Sequence, residues 1–182
     1  MNKAQQDIKW DKVSSHDVSE PIADGVHYIG TYRYWWHRKF EIGKGVTVFG
    51  MLNPSIANRK RNDPTSRRCI DFARMWDSRA VIIVNLFAAV STQPDAILEL
   101  DDPVGPRNWD FVGEACRILH QEGGRFVVAW GASPMALSRV GPFVKFIREH
   151  GVTPYCLSLT KDGAPRHPLM VPAHERLRLY GE

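Results

Sequence analysis

Four apolar runs constrain this chain more than anything else in it: VTVFGM from Val46, AVIIVNLF from Ala80, RFVVAW from Arg125 and YCLSL from Tyr155. Near-continuous β-branched and apolar runs of this length read as strands covered on both faces, not as half-solvated ones. Between them apolar residues return at helical spacing. Cys69, Phe72, Ala73 and Trp76 follow the first run, Trp109, Val112, Cys116 and Leu119 the second, and residues 135–150 the third. Strand and helix alternating in this way imply right-handed crossovers and a mostly parallel sheet. The expected fold is α/β, three-layer α/β/α around a mostly parallel four-stranded central sheet, with an N-terminal β-hairpin. All the C-terminal strand ends then share one rim, where open α/β sheets keep their chemistry.

Local signals place the elements. Residues 26–40 are dense in aromatic and β-branched types, which favours a strand, and the GKG at 43–45 can turn it back into the Val46 strand as the hairpin. Tyr34, Trp35 and Trp36 in it suit either core cover or a stacking surface for bases. Asp63 followed by Pro64 predicts a capped helix start, because Asp accepts from first-turn N–H groups and proline fits the first helical position. A loop fills residues 91–107, with one helical turn expected around 96–100. Gly123 and Gly124 end the next helix. Pro142 is expected to divide the third helical stretch into a short piece at 135–139 and a longer one at 143–150.

The 182 residues, 43% of them hydrophobic, suffice for one buried core, so residues 21–182 read as a single domain behind a polar arm at 1–20. No apolar run approaches the roughly 20 residues that span a bilayer, and the N-terminus lacks a signal-peptide core. The expected compartment is the cytoplasm, with no membrane partner. The three cysteines, Cys69, Cys116 and Cys156, are far apart and unpaired by spacing, which predicts buried thiols instead of a disulfide framework. No His, Asp or Glu cluster has ligand spacing, so neither a metal nor another cofactor is expected. The composition sets no oligomeric state.

The chemistry gathers on the predicted rim. Asn53 ends the first run, and Pro54 fixes the turn that presents it beside Ser55. Asn85 interrupts the second run, and needs a partner in a neighbouring loop or a ligand. Trp130 and Gly131 end the third. The fourth runs into a loop holding Lys161, Arg166 and His167, where an imidazole between Arg and Pro can donate a hydrogen bond or exchange a proton. Asp63, Thr65, Arg67 and Arg68 open the first helix, and Arg59, Lys60 and Arg61 precede it. These suit an anion site at a helix N-terminus, or a solvated basic loop. The net charge of +4 permits a polyanionic partner.

Six ordered blocks, MLNPS at 51–55, DPTSRRC at 63–69, VNLFA at 84–88, DPVGPRN at 102–108, AWG at 129–131 and PRHPL at 165–169, resemble the domain-of-unknown-function family 1643 of bacterial and phage proteins. More distantly, the block order is similar to the uracil-DNA glycosylase superfamily. There a Gly-x-Asn-Pro-type motif follows the first strand, an Asn-containing strand comes next, a Trp-Gly or equivalent follows the third strand, and a His-Pro loop follows the fourth. That resemblance implies a glycosylase-like fold, with Asn53 orienting the attacking water and His167 donating to the departing base. The chain carries His-Pro-Leu where those enzymes usually carry His-Pro-Ser, no Asp or His directly follows Asn53, and the iron–sulfur cysteines are missing. Uracil specificity is therefore not implied.

The expectation is a protein that acts on or binds a nucleobase, nucleotide, DNA or RNA, with glycosylase-like hydrolysis of an N-glycosidic bond as the reaction. The alternatives are a non-catalytic nucleic-acid or nucleotide-binding module, and a small-molecule enzyme for an anionic metabolite.

Overall fold

The computed structural model describes residues 26–29, 32–54, 63–90, 97 and 100–181. The polar arm, Ser55, the Arg59, Lys60 and Arg61 run and most of the helical turn expected at 96–100 lie outside those residues.

Among the described residues seven strands form one mixed sheet: β1 (Val26–Ile29), β2 (Tyr32–Lys39), β3 (Val46–Met51), β4 (Ala80–Asn85), β5 (Gly124–Val128), β6 (Pro154–Cys156) and β7 (Arg178–Leu179), in the order β1-β2-β4-β3-β5-β6-β7. The apolar runs are β3 to β6, and neighbours among them pair in parallel. The four-stranded expectation is thus corrected: β1, β2 and β7 extend the sheet by antiparallel pairing.

The expected hairpin is also corrected. Residues 26–40 form two strands that pair with each other, and β2 then pairs with β4, not with β3. Lys39 and Val46 both sit opposite Ala80, so the connection between β2 and β3 arches over the start of β4. Phe40 N–H donates to Arg79 O, Lys44 N–H to Asp77 O and Arg79 N–H to Gly45 O, so the arch is tied to the β4 entry. Gly43 has a φ of +128°, and a Cβ on it would lie 2.5 Å from the Ser78 carbonyl, so this close approach requires glycine.

Helix α1 (Pro64–Met75) begins as its sequence dictates: Asp63 is extended, its carboxylate accepts from Ser66 N–H at 2.6 Å, and Pro64 occupies the first helical position. Helix α2 (Asn108–Glu122) ends at Gly123, whose φ is +71°. Helix α3 (Leu137–Glu149), preceded by a 3-10 turn at Pro134–Ala136, runs unbroken through Pro142. The predicted break does not occur. Proline removes one ladder donor, but Pro142 and Ser138 are both exposed, so water can solvate the carbonyl left over, while Phe143 and Ile147 stay fully buried.

Alternate strand residues face opposite sides. Phe49, Met51, Val81, Ile83, Val127 and Ala129 pack with Cys69, Ile70, Phe72 and Ala73 of α1. Val46, Val48, Ile82, Val84, Phe126 and Val128 pack with α2 and α3. Tyr34 and Trp35 belong to this second core, Tyr34 stacking on Phe111 with centroids 5.1 Å apart, which fits core cover better than base stacking. Among the described residues no helix is long and apolar enough to cross a membrane.

All three cysteines are free and buried. Burial pushes the Cys116 thiol up to about 12, raises Cys69 well above its ordinary value and raises Cys156 too. Reactivity needs the thiolate. At about pH 8 the native protein should leave an aromatic disulfide reagent unreacted, and all three thiols should titrate together on adding denaturant. A thiol that reacts fast without denaturant would contradict this.

Candidate functional site

The strand order creates a switch point. From β3 the chain passes through α1 to β4 on one side, then through α2 to β5 on the other side of β3. Connections departing in opposite directions leave a crevice beyond the carboxyl ends of two adjacent parallel strands, here β3 and β5. Hydrogen bonds hold those ends beyond the strands themselves: Ala129 N–H donates to Gly50 O at 2.8 Å, Leu86 N–H to Met51 O at 2.8 Å and Phe87 N–H to Leu52 O at 3.0 Å. Asn53 follows directly. It is partly buried, and its Nδ2 donates to Pro54 O at 3.2 Å, which assigns Oδ1 as the accepting side of the amide.

The loop after β6 brings His167 to the end of β5. Thr160 N–H donates to Ala164 O, Arg166 N–H to Ser158 O, and Gly131 N–H to Pro165 O at 2.9 Å. Gly131 has a φ of +81°, and a Cβ there would be 3.7 Å from the His167 Cβ, so the two residues sit side by side. The His167 Nδ1 accepts from Leu169 N–H at 3.3 Å, which places the single proton of the neutral ring on Nε2. Burial lowers the His167 pKa below its usual value, and the Asp63 carboxylate opposes that shift without cancelling it. The N-cap of α1 and the imidazole are therefore electrostatic neighbours, a pairing of residues about a hundred positions apart that motif reading did not anticipate.

Arg68 locks this arrangement. Its Nε donates to Pro168 O at 3.3 Å and its Nη2 to Val171 O at 2.6 Å, with the guanidinium 5.0 Å over the Phe72 ring. Expected as a phosphate ligand, it instead ties α1 to the His167 loop through two backbone carbonyls. Arg67, Lys161 and Arg166 are exposed, and Arg166 Nε donates to Leu159 O. Thr65 is half-buried in the first turn of α1. Asn85 is buried, and its backbone carbonyl, not its side chain, accepts from Asn108 Nδ2 at 3.0 Å. Trp130 also differs from the expectation: its ring packs edge-on against Phe143 and Tyr180, at 6.1 and 5.6 Å, so Gly131 and not Trp130 is the rim residue there. Among the described residues no three His, Cys, Asp or Glu side chains converge as a metal site. A groove of about 550 Å³ along the outer side of α3, lined by Val140, Val144, Arg148 and Tyr180, includes none of the rim residues.

The His167 environment predicts a pH signature. A histidine whose folded pKa is depressed binds its proton more readily when unfolded, so stability rises with pH between the two values. The contribution of the neutral ring is complete above the ordinary value of 6.5 and is lost as pH falls through the folded value. Between about pH 7.5 and about pH 5 the wild type should lose more stability than His167→Gln, as urea midpoints will show. Equal losses in the two proteins would contradict a half-buried imidazole with a depressed pKa.

Among known proteins, the family model described as a protein of unknown function (DUF1643) matches residues 33–169. No curated protein and no solved structure matches the chain. The matched span starts within β2 and ends at Leu169, so it encloses every described rim residue from Asn53 to His167.

Proposed function

We propose that this chain, which belongs to the domain-of-unknown-function family 1643, binds a nucleobase at the rim between β3 and β5 and hydrolyses its N-glycosidic bond. One observation carries the reading. His167 is a neutral imidazole with Nδ1 already accepting from Leu169 N–H, so its Nε2–H is a fixed donor beside the switch point. Cleavage moves the bond electron pair onto the base and leaves cationic character on the sugar, and a donor already in place lowers the energy of the developing anion. Water supplies the new bond to the anomeric carbon, and the proton it releases passes through solvent to the departed base anion. Asn53, whose amide is fixed by its bond to Pro54 O, orients that water through Oδ1. The similarity of the block order to uracil-DNA glycosylases supports the same roles, and a three-layer glycosylase-like arrangement belongs to this proposal.

Single- and double-stranded oligonucleotides carrying uracil or other modified bases test it, with wild type compared against Asn53→Ala and His167→Ala. The expected result is an abasic product from wild type and far less from either variant. Equal product from all three proteins, or none from any, would remove the catalytic reading.

A further inference from the structure

Around the start of α2 lie polar groups that the rim reading does not use. Arg139, in the first turn of α3, places its guanidinium 4.7 Å over the face of Trp109. Its Nε and Nη2 are both shielded from solvent and both without a hydrogen-bond partner. These two atoms form one edge of the guanidinium, the edge that grips an oxyanion with two parallel bonds. The same protein shows that grip elsewhere: Arg117 uses Nε and Nη2 on the two carboxylate oxygens of Glu114. Next to Trp109, Asn108 is fully buried. Its Nδ2 donates to Asn85 O and Leu86 O, so the amide orientation is fixed and Oδ1 is the atom left without a partner.

A buried cationic edge with no acceptor is costly, and native proteins rarely keep one without a use. The carboxylate that acts on Arg139, Asp102, does not fill the edge. Its Oδ1 accepts from Val104 N–H at 3.1 Å and from Gly105 N–H at 2.9 Å, which holds it in its own loop. Trp109 is held in turn by Phe143 and Phe146, so the platform under the guanidinium is rigid.

We infer that the Nε and Nη2 edge of Arg139, backed by Trp109, is a site for a phosphate group. Arg139 is partly exposed, so an anion that enters here reaches the shielded edge by displacing the side chain from its resting position. The phosphate belongs to a free monoester or to the diester of a nucleic-acid chain, and the site stands whether or not the rim cleaves a glycosidic bond.

Calorimetric titration of the full chain tests this with inorganic phosphate, a nucleoside 5′-monophosphate and a short single-stranded oligonucleotide without a terminal phosphate. Saturable binding is expected from the first two if the site takes a monoester, and from the oligonucleotide alone if it takes a diester. Arg139→Gln should weaken that binding about tenfold or more. Arg139→Lys keeps the charge and the stem over Trp109 but loses the fork, and should weaken it by several-fold, a check that does not depend on Gln folding well. Lys145→Gln, which removes an exposed cation of the same helix, should bind as wild type does. Unchanged affinity in Arg139→Gln and Arg139→Lys, or no saturable binding of any of the three probes to wild type, would overturn the inference.

Discussion

Phe143→Ala should cost about 3–5 kcal/mol of folding stability, among the largest losses available to a single substitution in this chain. The ring is fully buried on the face covered by α2 and α3, with Trp109, Phe126 and Trp130 centroids at 6.2, 6.2 and 6.1 Å. It therefore joins α2, α3, β5 and the residue before Gly131. Gly50 lies beneath it: a Cβ there would stand 3.1 Å from the Phe143 ring, so β3 is packed against the same group. A cavity at that joint cannot close without moving several rigid rings, which places the cost toward the upper part of the range. For a chain of this size the melting temperature should fall by roughly 10 °C, with Phe143→Leu losing well under half as much. A loss below about 1 kcal/mol in urea would mean that the aromatic joint does not hold α3 to the sheet.

Much of this fold was legible because its central strands are chemically unambiguous. The β4 run, AVIIVN, has no solvated face, so burial on both sides follows from its residues alone. Asp63 and Pro64 announce α1 for equally local reasons. What escaped were decisions made at long range. Nothing within residues 26–40 says that β2 pairs with β4; that choice depends on the arch through Gly43 fitting against the Ser78 carbonyl. Pro142 signals a break, yet the burial of Phe143 and Ile147 in the assembled core outweighs one missing ladder bond.

The candidate site divides in the same way. Asn53, Gly131 and His167 could be named because each directly follows a strand or its loop, and strand ends converge by topology. Trp130 looked like a rim residue from the same logic, but a large ring next to a buried strand gains more by packing on Phe143. Arg68 shows that a cation in a basic segment can be a tie between backbone carbonyls, which depends on where Pro168 and Val171 end up. Arg139 carries no sequence signal whatever. Only the burial of its unpartnered edge singles it out.

If His167 acts as proposed, His167→Ala should reduce glycosidic turnover by about 10²–10³-fold while changing substrate affinity much less. The size follows from its role. A directed donor near a developing anion stabilises the transition state more than the ground state, because the base carries little charge before the bond breaks. Leu169 N–H sets the tautomer and partial burial favours the neutral ring, so His167→Asn, which keeps an N–H near the same place, should recover part of the loss and His167→Ala none. The pH profile separates this role from acid catalysis. An imidazolium acid would lose rate as pH rises through the depressed His167 value, whereas a neutral donor is fully available above it, so the rate should hold level from the ordinary value of 6.5 upward. A rate that declines steadily from about pH 6 to about pH 8 in wild type but not in His167→Asn would reverse the assignment, making the ring a proton donor and Asp63, its charged neighbour, the group that sets its acidity.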